Sequence, residues 1–304
     1  MLAGGAISAG GPPAESAGLR ATAADCRNAR RSLKNATERG LGMDDEIRVM
    51  VTGAAGRMGR EVVKAVCGAD GLVLQGAIDI ALVGQDVGAV AGIGPTGVLI
   101  RADLEAALRD LRPDVMVDFT VARAAQANIM TAIDHGVRFV VGTSGLGTEA
   151  VEAILRKAAA RGAAGAIVPN FALGAVLMMR FARAAAKYFP DCEIIELHHD
   201  GKVDFPSGTA KATAHEVASA RGDAVGPARG AGTRGVEIEG VQVHSVRLPG
   251  LVAHQEVIFG GPGQTLTIRH DSLGRDSFMP GVLMAIRKCA NLDRVVLGLD
   301  PLLD

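Results

Sequence analysis

Short, continuously apolar runs alternate with helix-forming stretches along the first half of the chain from Ile47 onward. Ile47–Thr52, Leu72–Ile78, Val115–Phe119, Val137–Val141 and Ala166–Val168 read as strands. Arg60–Cys67 and Leu104–Leu111 read as helices, with further helices closing at Ile133 and Ala160. Strand and helix in strict alternation predict a doubly wound parallel sheet, whose ligands sit beyond the carboxyl ends of the strands. A helix over Ala175–Tyr188, a strand over Cys192–Leu197 and a helix over Thr209–Arg221, stopped by Gly222, come next. From Val236 the period drops to two in VEIEGVQVHSVRL, VAHQEVIFG and QTLTIRHDS, the last two joined by the Gly260–Gly263 turn. That pattern predicts an antiparallel sheet in a second, α+β domain. Phe278, Val282, Ile286 and Cys289 then recur at helical spacing, with Pro280 in the first turn. This last stripe is expected to return to the first sheet. The expected division is residues 47–172 with 277–304, and residues 173–276, with hinges near Leu173 and Arg275.

Composition narrows the classes. At 304 residues two domains are expected. Net charge is −1, with one Tyr and no Trp, which argues against a nucleic-acid surface or base-stacking platform. The longest apolar stretch, around Gly165–Met179, is broken by Pro169, Asn170 and Gly174 and is too short to span a bilayer. Cys26, Cys67, Cys192 and Cys289 are scattered without metal-ligand spacing, as suits a reducing cytoplasm; no metal is expected. Residues 1–46 lack sustained periodicity, contain Gly-Gly-Pro-Pro and are expected to be a disordered extension. Its arginines and serines permit a targeting peptide, Glu15, Asp25 and Glu38 oppose one, and Met43 is the preferred translation start.

Two stretches carry chemistry. The first strand runs into Gly53-Ala-Ala-Gly56-Arg57-Met58-Gly59 and then a helix. Gly53 permits a tight turn, Gly56 lets backbone approach a pyrophosphate, and Gly59 lets the helix sit close on the strand. Asp79, about 20 residues on, ends the second strand where an acid accepts hydrogen bonds from a ribose. Thr120, Gly142-Thr143-Ser144 and Asn170-Phe171 stand at later strand ends of the same sheet. The second stretch, ELHHDGKVDFPSGTAK over residues 196–211, sets His198, His199 and Lys202 just after a strand and Ser207, Gly208 and Thr209 at a helix start. Helix-start amides bind anions, and these cations reinforce them, so the loop reads as a cradle for a small acid with His198 left to handle a proton. Each feature alone also fits an ordinary polar turn. His244, His254 and His270 are read as sheet or interface residues.

VTGAAGRMGRE, VDFT, VGTSG, PNFALG, ELHHDGKVDFPSGTA and HSVRLPGLVAHQEVIFGGPGQTLTIRHDS together resemble the 4-hydroxy-tetrahydrodipicolinate reductase (dihydrodipicolinate reductase) family of diaminopimelate–lysine biosynthesis. The resemblance implies a Rossmann-like domain, a second domain around the antiparallel sheet, and a homotetramer built through that sheet. It puts the catalytic acid on His198 and the catalytic lysine on Lys202, with substrate contacts at His199, Gly208 and Thr209. Cofactor contacts fall on Gly53, Ala54, Ala55, Gly56, Arg57, Met58, Asp79, Gly142, Thr143, Ser144, Val168, Pro169, Asn170 and Phe171. Asp200-Gly201 and Phe205 depart from the family pattern; Phe205 could narrow the loop. The implied substrate is a small cyclic imine dicarboxylate.

Asp79 favours NADH and repels a 2′-phosphate, while Arg57, with Arg60, offers NADPH a counter-charge; NADH preferred and NADPH accepted is the expectation. A semialdehyde dehydrogenase would need an activated thiol, and Cys192 lies inside a strand. A nucleotide-sensing module would have no use for His198 and Lys202.

Overall fold

The computed structural model describes residues 46–143, 145–189, 191–222 and 234–304. The expected extension over residues 1–46 lies outside these but for Glu46, as does Ser144. Seven parallel strands form the first sheet in the order β12-β6-β5-β4-β1-β2-β3. They are β1 (Ile47–Thr52), β2 (Leu72–Ile78), β3 (Ile100–Arg101), β4 (Val115–Asp118), β5 (Arg138–Val141), β6 (Gly165–Ile167) and β12 (Val295–Leu297). The apolar runs are continuous because both faces are covered. Alternate residues of a strand point to opposite faces. Val49, Val51, Val115 and Val117 join a core with helices α1 (Arg57–Gly68), α2 (Val87–Ala91) and α8 (Met279–Cys289). Met50, Met116 and Phe139 join another with α3 (Leu104–Leu111), α4 (Ala122–Asp134) and α5 (Thr148–Arg161). The strand order reverses between β1 and β4, which opens the crevice for ligand there. The terminal stripe of α8 packs beneath this sheet, and β12 extends it along β6.

The second sheet has five strands in the order β11-β10-β7-β9-β8. These are β7 (Asp191–His198), β8 (Val236–Ile238), β9 (Val241–Arg247), β10 (Ala253–Gly261) and β11 (Gln264–Ser272). Helices α6 (Leu173–Ala186) and α7 (Gly208–Arg221) supply the core on one face, against Cys192, Ile194, Val243, Val257 and Phe259. Three of its four pairings are antiparallel, while β7 and β9 run parallel. The reason is topological: after α7 the chain enters β8, antiparallel to β9 at the sheet edge, and the β8–β9 hairpin then reverses it so that β9 runs alongside β7 in the same direction. The run from Val236 to Leu248 is not one strand. Glu239 and Gly240 adopt φ of +50° and +76° and turn the chain into a two-residue hairpin.

Candidate functional site: a cleft between two strand ends

The glycine loop lies where β1 meets α1. Gly53 has φ +75°, and a Cβ there would stand 2.8 Å from the Phe119 carbonyl oxygen. At Gly59 a Cβ would fall 2.0 Å from the Gly53 oxygen, so only glycine lets the helix pack this closely. Gly56 caps α1 without a side-chain hydrogen bond, leaving first-turn amides available to an anion. Gly53 and Ala54 donate to the Ile78 carbonyl at 2.9 and 3.1 Å, tying the loop to β2. Ala54 is buried, while Met58 packs on the core edge. The Asp79 carboxylate accepts from Ala55 N and from Ala81 N, each at 2.9 Å. Those bonds aim the carboxylate and leave further lone pairs free to accept hydrogen bonds. Ile80 beside it is almost wholly exposed and brings no charge. An open cavity of about 570 Å³ at the start of α1 is lined by Arg57, Arg60, Lys64, Gly92 and Arg275 among others. Arg60 also donates to the Ala55 carbonyl at 2.8 Å, so part of its guanidinium braces the loop. Bare glycines, open amides and an acid at the second strand end fit a dinucleotide.

Beneath the neighbouring loops sits a carboxylate that motif reasoning passed over. Asp118 is fully buried at the end of β4. It accepts from Thr52 Oγ1 (2.7 Å), Thr120 N and Oγ1 (2.9 and 2.7 Å), Asn128 Nδ2 (2.7 Å) and Thr143 Oγ1 (2.9 Å). The ends of β1, β4 and β5 are thereby tied to one anchor, which places Thr120 and Thr143 beside the glycine loop. Gly142 must lack a Cβ, since one would come within 2.2 Å of the Phe119 ring and 2.8 Å of the Phe171 ring. Val168 is buried and continues β6 toward Pro169 and Asn170. Asn170 Oδ1 accepts from Ala172 N at 2.9 Å, and its Nδ2 donates to Thr209 Oγ1 at 3.2 Å. That second bond joins the two halves of the site.

The histidine loop leaves the end of β7. His198 Nδ1 lies 2.5 Å from Glu196 Oε2. Arg247 Nη1 and Nη2 donate to the same carboxylate at 2.9 and 2.7 Å, and Ser207 N donates to its Oε1 at 3.2 Å. Burial pulls the Glu196 carboxyl pKa upward, but hydrogen bonds from His198, Arg247 and Ser245 outweigh it and hold the value down at about 2. Ser207 Oγ accepts from Ala210 N at 3.1 Å and so caps α7. Lys202 Nζ donates to Asp204 Oδ1 at 2.6 Å, while its N–H donates to the His199 carbonyl at 3.2 Å. Phe205 does not narrow the loop: its side chain is 69% exposed, because the loop turns it away from the strand.

A cavity of about 210 Å³ brings Pro169 and Asn170 from the first sheet together with His198, Ser207, Thr209 and His270. His199, Lys202 and Gly208 are on the same loop and helix start but not among its lining residues. His254 and His270, read from sequence as sheet or interface residues, line this cavity too. His254 Nδ1 lies 2.6 Å from Asp271 Oδ1, and its Nε2 accepts from Val252 N at 3.2 Å, so both ring nitrogens are engaged. His270 packs on Gly174, and burial lowers its pKa. Their inward placement follows from β10 pairing with the strand that carries His198 and β11 pairing with β10, which no local pattern reveals. Cys192 is buried, and burial pushes its thiol up to about 12, which removes it as a nucleophile. Among the described residues no helix is long and apolar enough to cross a membrane.

Residues 47–171 match the family described as dihydrodipicolinate reductase, N-terminus, and residues 174–303 match dihydrodipicolinate reductase, C-terminus. A 4-hydroxy-tetrahydrodipicolinate reductase of Moorella thermoacetica is 50% identical over 262 residues, which span 85% of this chain and 98% of that protein. One of Cyanothece sp. is 50% identical over 269 residues, 84% of this chain and 98% of that protein. A solved structure of dipicolinate-bound dihydrodipicolinate reductase from Paenisporosarcina sp. TG-14 superposes with a TM-score of 0.73 at 39% identity, covering 84% of this chain and 99% of that one.

Proposed function

The chain belongs to the dihydrodipicolinate reductase family and is an NAD(P)H-dependent oxidoreductase; from that premise we propose how its residues divide the work. The substrate is 4-hydroxy-tetrahydrodipicolinate (dihydrodipicolinate), a small dicarboxylate, reduced to tetrahydrodipicolinate in diaminopimelate and lysine biosynthesis in the cytoplasm. The observation that carries this reading is the cavity where Pro169 and Asn170 meet His198, Ser207 and Thr209. Residues 47–172 with 277–304 form the dinucleotide-binding domain, and residues 173–276 bind substrate and assemble a homotetramer through the open face of the second sheet.

The nicotinamide, when bound, supplies a hydride to the ring. Everything else falls to the chain. Gly53–Met58 and Asp79 hold the dinucleotide, with Thr120, Gly142, Thr143, Ser144 and Val168–Phe171 beside the reacting end. Ser207, Gly208 and Thr209 present the α7 start to one substrate carboxylate. Lys202 exchanges its Asp204 partner for a carboxylate of the substrate, and His199 adds a further contact. Holding the ring in one orientation is as large a contribution as acidity. His198 then donates a proton to the charge that hydride transfer leaves on the ring. Asp79 disfavours a 2′-phosphate and Arg57 compensates in part, so NADH is preferred and NADPH accepted.

The test is steady-state oxidation of NADH in the presence of enzymatically generated substrate, with NADPH in parallel. Substrate-dependent turnover with the larger kcat/KM for NADH is expected. No turnover, or a much larger kcat/KM with NADPH, contradicts the reading.

A further inference from the structure

Glu196 is the feature that the proposed function leaves unexplained. On β7 the inward residues are Cys192, Ile194, Glu196 and His198, two-residue steps along one face. The first two pack into the apolar core, whereas Glu196 is a carboxylate with 0% exposure in the same row. An ionised group in that position is costly unless every oxygen is answered. Here each is: Oε1 accepts from Arg247 Nη2 and Ser207 N, while Oε2 accepts from Arg247 Nη1 and faces His198 Nδ1. Arg247 is in turn fixed, since Nη2 also donates to the Asp204 carbonyl at 2.8 Å and the residue pairs with His198 across the β7–β9 ladder.

A purely structural ion pair would need Arg247 alone. The imidazole that shares Oε2 with Arg247 Nη1 adds something that such a pair does not require. Resting on the reading of His198 as proton donor, we propose that Glu196, neutralised by Arg247, is a positioning residue that keeps the His198 proton on Nδ1 and turns Nε2 toward the cavity. In the reductive step the Nε2–H bond breaks, its electron pair stays on the ring nitrogen, and the proton bonds to the substrate. The neutral imidazole left behind keeps Nδ1–H on the Glu196 carboxylate, and water from the open cleft reprotonates Nε2. Arg247 stops the carboxylate from taking the Nδ1 proton itself, because its charge already stabilises the ionised form.

The experiment is ¹⁵N NMR of histidine-labelled protein, with the His198 signals assigned by their loss in His198→Gln, alongside kinetics of Glu196→Gln and Glu196→Asp. In the unaltered protein at a pH where His198 is neutral, the expected form carries hydrogen on Nδ1 and a bare Nε2. Glu196→Gln is expected to shift signal toward the Nε2–H form and to lower kcat about 10- to 100-fold with the KM for NADH unchanged, and Glu196→Asp to recover part of it. A bare Nδ1 in the unaltered protein overturns the proposal whether or not any variant folds. Unchanged kcat in Glu196→Gln, with His198→Gln inactive, overturns it while leaving His198 as the acid. Full activity in His198→Gln would instead remove the reading beneath it.

Discussion

Two buried carboxylates stand at strand ends on opposite sides of the same cleft, and they are solvated by different means. Asp118, under the dinucleotide loops, is met by neutral donors: three threonines and an asparagine. Glu196, under the histidine loop, is met by a guanidinium and an imidazole. Neutral donors spread the Asp118 charge over several hydroxyls and an amide and tie three strand ends together, which fixes the shape of the loops above it. Charged partners create a dipole whose free end is a titratable ring, which suits a place where a proton moves. On the proposed reading the two halves of the site thus use one device, the buried acid, for shape in one and for chemistry in the other.

Replacing Asp118 by Ala tests the first half most severely. Several buried donors lose their acceptor together, so a loss of about 3 kcal/mol in unfolding free energy is expected. A roughly tenfold rise in the KM for NADH should accompany it. Denaturant titration and steady-state kinetics measure both; a stable variant with normal NADH binding would erase the distinction drawn for Asp118. Acid unfolding tests the second half. Glu196 has a folded pKa of about 2 against an ordinary 4.5, so its ionised network favours the folded state. That contribution, on the order of 3 kcal/mol at most, is fully present above about pH 4.5 and is lost as pH falls toward 2. Glu196→Gln should flatten the stability–pH curve in that window, and identical slopes would count against the charged network. The smallest effect belongs to Asp79, which shapes the glycine loop through Ala55 and is the proposed partner of the cofactor ribose. Asp79→Ser is expected to reduce the kcat/KM ratio of NADH to NADPH about tenfold; an unchanged ratio would remove Asp79 from cofactor choice.

Much of this arrangement is legible in the sequence, and the reasons are local. IRVMVT and VMVDF announce strands buried on both faces, and the glycine loop is written in consecutive residues. What escaped depends on distant contacts. β3 has two residues and β12 three, too few for a period to emerge. The parallel pairing of β7 with β9 follows from the β8–β9 hairpin that reverses the chain after α7, and the alternation in both strands is indifferent to direction. Ser207, Gly208 and Thr209 could be placed at a helix start because the turn chemistry is adjacent. Glu196 could not be told from a solvent-facing strand acid, since its partner Arg247 is 51 residues away. The available hint was its two-residue step from His198, which puts both on one face. Asp118 escaped likewise: its donors come from the last residue of β1, from the loops after β4 and β5 and from α4.

The central claim is that one imidazole meets, with a proton, the charge delivered across the cleft. Its most direct measurement is kcat for His198→Gln under saturating NADH and substrate, with the KM of each determined in the same series. A fall of about 100-fold or more in kcat with only modest change in either KM is predicted. A variant that turns over at the rate of the unaltered enzyme would contradict it.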